Sequence, residues 1–338
     1  MSLRKDTVDT TRVEGGRVSP LYGLIGGVWS ATGKSPAWPL LVILCVFFAF
    51  QSPIFLSLFN INIILSQAAL TGVLAIGLTP LVISGNVDFS VGAIAALGTC
   101  VAVVINNQLG FFPAIALTLI VCALFGLLNG LIVERLGLSS IIVTIASGTA
   151  LKGLTFIIFG SGTIMATGSL FLDIGYYKVA GISVSVILFL LLAVVLALML
   201  RLTVHGAHTF AIGGNRQAAL DAGVNVEMHV LANFAISGLM AGVCGIILVT
   251  GLGAGAPSLA PSYELWAIIA VVLGGTRLAG GGGTIAGTVA AALSLTVLRN
   301  GMNLMQIDAR WFLIVLGSSL IVALILDRMR SGEPETAE

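Results

Sequence analysis

Charge is what this chain has least of. Asp, Glu, Lys and Arg together make up 9% of its 338 residues, against about 25% in an ordinary soluble domain. A soluble globular protein is excluded on that ground. The formal net charge of +1 argues for neither a nucleic-acid surface nor an acidic partner. Cysteine is scarce too. Cys45, Cys100, Cys122 and Cys244 all lie inside apolar runs, with no CxxC pair and no His/Cys cluster. Such thiols behave as small hydrophobes, which sets aside a disulfide framework and a metal site. A phosphate-binding loop is also missing. Gly27 to Ser35, GVWSATGKS, has five residues between its glycines where the motif has four, and no strand precedes it. Gly280 to Gly283 lacks the βαβ surroundings of a dinucleotide fingerprint. The chain is therefore expected to bind no cofactor and to hydrolyse no ATP alone. No cleavable signal peptide is visible, because the first 36 residues are polar and the first apolar run starts near Trp38.

What remains is apolar. Hydrophobic residues form 58% of the chain, in runs near the roughly 20 residues that cross a bilayer as a helix. The runs predict an all-α polytopic membrane protein of about ten helices, near 38–54, 62–83, 89–107, 112–133, 140–160, 181–200, 228–250, 264–276, 284–301 and 310–327. The eighth and ninth are short and interrupted by glycine. With the N-terminus cytoplasmic, Arg4, Lys5, Arg12, Arg17, Lys34, Arg135, Arg201, Arg216, Arg277, Arg328 and Arg330 fall inside the cell. These are eleven of the fifteen cations; Lys152, Lys178, Arg299 and Arg310 fall in helices or outside loops. Both termini are then cytoplasmic. The organisation is a tail at 1–36, a membrane domain at 37–328 with a cytoplasmic loop at 201–226, and a tail at 329–338.

A weak repeat appears at an offset near 171 residues, where Asn129-Gly130 matches Asn300-Gly301. The shift carries helices 2–5 onto 7–10. An offset of five helices inverts the second copy in the membrane, as in many transporters; chance similarity is the rival reading. Glycines at GxxxG spacing, Gly126/Gly130, Gly238/Gly242 and Gly283/Gly287, let helix backbones approach closely. They predict a compact bundle and no particular chemistry.

Arg201 to Val226, RLTVHGAHTFAIGGNRQAALDAGVNV, is a polar island between two long apolar runs. Asn215 suits a helix N-cap, Arg216 to Ala222 two turns, and Gly223 the left-handed position after them. A capped helix with no apolar stripe is built to meet a partner, or is a solvated loop with a chance turn. His205, His208 and His229 sit on or beside the island and read as solvated or partner-facing. Elsewhere the polar residues in or beside the apolar runs are Asn86, Asp88, Ser90, Asn129, Glu264 and Asn300, candidates for a pathway or for helix caps. Asp88 stands near the start of the third helix, where free N–H groups favour a carboxylate. As an ionisable group near membrane depth it is also a functional suspect.

Three segments carry a resemblance. GGNRQAALDAGV resembles the coupling helix of permease subunits of ATP-binding-cassette importers of the ribose type. SGNVDFSVG, Ser84 to Gly92, resembles that family's (I/V)DLSVG motif, with Phe89 in the leucine position. YELWAIIAVVLGGTRLAGGGGTIAGT, Tyr263 to Thr288, looks like its YEL-xAIAAVVLGG-x-LAGG-x-G-x-x-GT block. They occur in the family's order and span most of residues 60–327. Trp266 departs from the Asp often found in sugar permeases, and Gln217 from the Glu of many coupling loops.

The resemblance implies a bundle like that of the type II importers in this binding-protein-dependent transport family. It also implies a bacterial inner-membrane location, a non-catalytic role and a monosaccharide-like solute. The implied partners are a second permease subunit, an ABC ATPase subunit and a periplasmic or extracellular sugar-binding protein, with no nucleic acid. The residues it points to for ATPase coupling are Gly213, Gly214, Asn215, Gln217, Ala218, Ala219 and Gly223, with the Asn215–Val224 face inserting into a cleft of the ATPase. The alternative is an ion-coupled secondary transporter of a small polar solute, which needs intramembrane carboxylates; Asp88, Lys152 and Glu264 are the ionisable groups available to it. A channel lacks a recognisable charged or carbonyl ring, and an intramembrane enzyme lacks a nucleophile–base pair.

Overall fold

The computed structural model describes residues 35–168 and 170–308, with residues 310–312, 314–315, 317–319, 321 and 325 beyond them. Seven helices are long and apolar enough to cross a membrane, which makes this a multi-pass membrane protein. They are α2 (Leu58–Ile83), α3 (Val91–Leu109), α4 (Phe111–Leu136), α5 (Ser140–Phe159), α7 (Val184–Leu202), α10 (Val226–Leu252) and α12 (Ile285–Leu304). Two further apolar helices are shorter, α1 (Ala37–Gln51) and α11 (Tyr263–Leu273). The run expected at 310–327 lies largely outside the described residues, as do the near-miss phosphate loop up to Lys34 and the two tails.

The 11 residues of α11 reach only about 16 Å, roughly half a bilayer. The sequence placed its end at residue 276. The helix stops earlier because Gly274 and Gly275 close it, and Thr276 N donates back to Val271 O at 3.2 Å. The chain then continues as a glycine-rich loop to Thr284. Irregular backbone at membrane depth is tolerated only where protein surrounds it. This loop is packed against α2 and against the helix that follows α7.

The centre and rim of the bundle differ in burial. In α10 and α12, 72% of the most apolar 18-residue stretch is buried inside the chain, against 22% in α4. Phe112, Ile142 and Ile157 on α4 and α5 are exposed, as lipid-facing residues must be. On one side α3, α4 and α10 pack on one another; on the other α11, α12 and α2 do; α2 and α10 join the halves. Gly126 of α4 faces Gly238 of α10. A Cβ on either would overlap the other helix's backbone, at Phe234 O or Cys122 O. Two of the GxxxG pairs thus meet at this crossing. Gly283 lies in the loop before α12, so the third pair is no helix-packing motif. The four thiols are free, with Cys100, Cys122 and Cys244 buried.

Short elements mark the two ends. At one end β1 (Ile164–Met165) pairs antiparallel with β4 (Ala254–Gly255), Ile164 opposite Gly255. The same segment carries α6 (Leu170–Tyr176) and a hairpin of β2 (Lys178–Val179) and β3 (Ile182–Ser183). At the other end the island is two helices, α8 (Val204–Gly214) and α9 (Arg216–Asp221). The sequence reading missed α8 because its buried residues, Gly206, Thr209 and Ile212, include one large apolar side chain only.

Candidate functional site

Three separated segments meet at the end that carries α8 and α9. Gly281 N donates to Ile83 O at the end of α2, at 2.9 Å. Gly213 lies between them, and a Cβ there would overlap the Ile83 carbonyl. A Cβ on Gly280 would sit 2.8 Å from Gly213 O and 3.1 Å from Gly85 Cα. Gly280 and Gly281 have φ of +90° and +72°, which glycine adopts without steric cost. The three family-like segments therefore form one junction of touching backbones. Gly214 is exposed beside it.

From this junction α9 projects with both ends capped as the sequence predicted. Asn215 Oδ1 accepts Ala218 N at 3.0 Å. After the helix, Val224 N donates to Ala219 O and Gly223 N to Leu220 O, the Schellman pattern, with Gly223 at φ +81°. Arg216 forms a fork on Glu134 at the end of α4, Nη1 to Oε1 at 3.1 Å and Nη2 to Oε2 at 2.6 Å. Those hydrogen bonds push the guanidinium pKa further up. Glu134 is nearly buried, at 4% exposure, and was missed from sequence because nothing local marks a carboxylate as the partner of an arginine 82 residues away. Ala219 points inward and joins the core beside Ile212 and Val226. The outward face is Gln217, Ala218, Leu220 and Asp221, with Gln217 Nε2 donating to Asp221 Oδ1 at 3.0 Å. The expectation of one outward face over 215–224 is corrected to that extent.

The histidines are neither solvated nor partner-facing as expected. His208 Nδ1 meets His229 Nε2 at 2.8 Å, and His229 Nδ1 meets His205 Nδ1 at 2.8 Å. His205 Nε2 meets Asn233 Oδ1 at 2.9 Å. The rings are half-buried and link α8 to the first turns of α10. His205 and His208 share one face of α8, and His229 and Asn233 share one face of α10, by the helical spacing of each pair. Among the described residues no group of three His, Cys, Asp or Glu is placed to hold a metal ion.

Asp88 is fully buried. Its Oδ1 accepts Ser90 N at 2.8 Å and Ser90 Oγ at 2.5 Å, and its Oδ2 accepts Ser237 Oγ at 3.2 Å. Asn129 Nδ2 donates to Ser90 Oγ at 2.8 Å. Ser90 is itself the N-cap position of α3, so Asp88 closes a turn before the helix and does not cap its first-turn amides. Its second role is to tie the α3 entry to α10, while Ser90 and Asn129 tie it to α4. Asn86 is nearly buried in the same turn, and Val87 N and Phe89 N donate to Ser140 Oγ and Thr144 Oγ1 of α5. Ser237 carried no sequence signal beyond being a hydroxyl in an apolar run.

Glu264 and Asn300 lie elsewhere. Glu264, in the first turn of α11, meets Lys152 Nζ of α5 at 3.4 Å through Oε1. Its Oε2 is buried beside Gly92 without a hydrogen-bond partner among the described residues. Asn300 exchanges amide bonds with Asn60 of α2, at 3.0 and 2.8 Å. The candidates thus fall into an end junction, the Asp88 turn, and two cross-links in the half that holds α11 and α12.

This is a helical membrane bundle with a polar end. Residues 60–324 match the family of the branched-chain amino acid transport system / permease component. The chain is 37% identical over 297 residues to the ribose import permease of Bacillus subtilis (strain 168), covering 86% of this chain and 92% of that one. It is 33% identical over 312 residues to the L-arabinose transport system permease of Escherichia coli (strain K12), covering 92% and 94%. It is 31% identical over 294 residues to the D-allose transport system permease of the same strain, covering 86% and 90%. No solved structure matches. The chain belongs to this permease family, in its ribose-type ABC branch.

Proposed function

We propose that this chain is the membrane-spanning subunit of an ATP-driven, binding-protein-dependent importer of a monosaccharide or sugar-like solute. The observation that carries the reading is the match, over 86–92% of the chain, to relatives named for ribose, allose and arabinose. The chain itself binds no cofactor and performs no catalysis; a separate ATPase subunit hydrolyses ATP. Two permease subunits form the pathway in the bacterial inner membrane, with both termini cytoplasmic, and an external sugar-binding protein delivers the solute.

The coupling element in this reading is α9. Its outward Gln217, Ala218, Leu220 and Asp221 meet the ATPase, and its attachments carry motion inward. The Arg216–Glu134 fork leads to α4, and the Gly213–Gly281–Ile83 junction leads to α2 and the loop after α11. ATP can shift such a bundle only by interacting differently with its two conformations. The inverted-repeat reading is supported by matched helix pairings: α4 on α10 corresponds to α12 on α2, and α3 on α10 to α11 on α2.

The Lys152–Glu264 pair and the buried Asp88 favour the second reading, ion-coupled secondary transport. One experiment separates the two. The permease is reconstituted in liposomes with its ATPase and binding protein, and D-ribose, D-allose and L-arabinose uptake is followed. Import that needs ATP and persists with an uncoupler supports the proposal. Import that stops on adding the uncoupler at constant ATP overturns it.

A further inference from the structure

Two cavities lie side by side in the half that contains α2, α11 and α12. One of about 360 Å³ runs between α2, α10, α11 and α12, and one of about 410 Å³ reaches from it along α2 and α12 to Asn60 and Asn300. Gln67 of α2 and Arg299 of α12 line both. Neither belongs to the junction or the Asp88 turn. Gln67 stands nine residues into α2 and Arg299 five residues before the end of α12. Both are within membrane-length helices, at the end that carries the short strand pairs.

Both side chains are exposed on the chain and line the cavities. Among the described residues, Gln67 has no hydrogen-bond partner and Arg299 no ion pair or hydrogen bond. Arg299 holds its guanidinium carbon 5.4 Å from the centre of the Phe312 ring, and Phe312 stacks on Trp266 at 4.7 Å and 22°. A charged side chain in a membrane span is costly unless it faces a water-filled cavity or a ligand, and such residues mark solute pathways. Here the cavity is present, and the polar groups converge on it. The first cavity adds the hydroxyls of Thr71 and Thr296 and the indole of Trp266.

We infer that these cavities form a monosaccharide subsite, read by Gln67 and Arg299 on one wall and Trp266 on another. The inference rests on the sugar-import reading above. The chemistry fits a neutral ring sugar. Its C–H face is apolar and matches an aromatic wall, while its adjacent hydroxyls match the planar fork of Arg299 and the paired donor and acceptor of Gln67. No carboxylate lines the first cavity; Asp308 lines the second and is paired with Arg310. Pockets of this volume take ligands of small-molecule size.

The test uses the complete complex in liposomes, with D-ribose, L-arabinose and D-allose as probes. Arg299→Lys keeps the charge and loses the fork; Gln67→Ala removes the amide beside it. Initial uptake rates are measured for each sugar at several concentrations, together with ATPase rate and membrane abundance. Loss of a hydrogen bond to a charged group is on the order of tenfold in rate. The expected result is therefore a drop of about that size with a changed ratio among the sugars, at unchanged abundance. A merely structural role would lower the three rates in parallel, and that result overturns the subsite, as do variants that match the wild type. Should Arg299→Lys fail to accumulate, Gln67→Ala decides the matter alone by the same two readouts. Wild-type complex that imports none of the three sugars overturns the subsite as a reader of these rings, whereas uptake that stops with an uncoupler at constant ATP overturns the importer reading itself.

Discussion

At the scale of single residues, the polar groups of this bundle are decided by counting donors and protons. In the histidine chain Asn233 Nδ2 donates to Thr209 Oγ1 at 3.4 Å, so Asn233 Oδ1 faces His205 Nε2, which must carry hydrogen. Each of the two nitrogen–nitrogen contacts holds one hydrogen between its atoms. His229→Ala separates the two outer rings. It should lower stability at neutral pH by about 1–3 kcal/mol, the usual cost of unpaired buried polar groups; unchanged thermal unfolding of the purified complex would remove this account of the cluster. Asp88 gives a second case. Asp88→Asn keeps an oxygen for Ser90, and Ser237 Oγ can rotate to accept from the new amide, so unfolding should move by less than about 1 kcal/mol. Asp88→Ala strands the buried Ser90 N–H and should cost about 1–3 kcal/mol. Asn as damaging to uptake as Ala, at equal abundance, would mean that transport needs the charge.

At the scale of elements, α9 is held on its inner face and free on its outer one. Ala219 is 4% exposed and Leu220 46% exposed. Leu220→Asp should leave unfolding unchanged within about 0.5 kcal/mol, as surface changes do, while weakening co-purification of the ATPase. Ala219→Trp should do the reverse, costing the permease about 1–3 kcal/mol through overpacking. Equal effects of the two on ATPase binding would show that α9 does not dock by this face. How these elements read from sequence follows from their physics. Spans were legible because lipid demands an apolar run of fixed length, and the ends of α9 because caps are local chemistry. The inner turn of Ala219 was not legible, since it depends on where α8 sits, and α8 itself has too few large apolar residues to show a period. The early stop of α11 is visible only when Gly274-Gly275 is known to meet backbone rather than helix: a Cβ on Gly274 would lie 2.7 Å from Thr288 N. Long-range pairs such as Asn60 with Asn300, separated by 240 residues, leave no trace in a single sequence beyond two amides in apolar surroundings.

At the scale of the molecule, the decisive question is which end faces the cytoplasm, and the two ends are chemically distinct. Arg135, Arg201, Arg216 and Arg277 cluster with α8 and α9, whereas the β1–β4 and β2–β3 pairs carry Lys178 alone. Positive charge is retained on the cytoplasmic side during insertion, so the proposed orientation turns the junction inward, toward the proposed ATPase, and the mouth of the Gln67–Arg299 cavities outward. The same orientation thus serves both proposed sites. It is tested in intact cells with the four native cysteines replaced by alanine or serine and a single cysteine placed at position 178 or 216. An impermeant maleimide should label position 178 readily and position 216 only after the cells are opened. Reversed labelling would turn the molecule over and place α9 out of reach of any ATP-hydrolysing partner, so the coupling role of α9 would fall along with the topology.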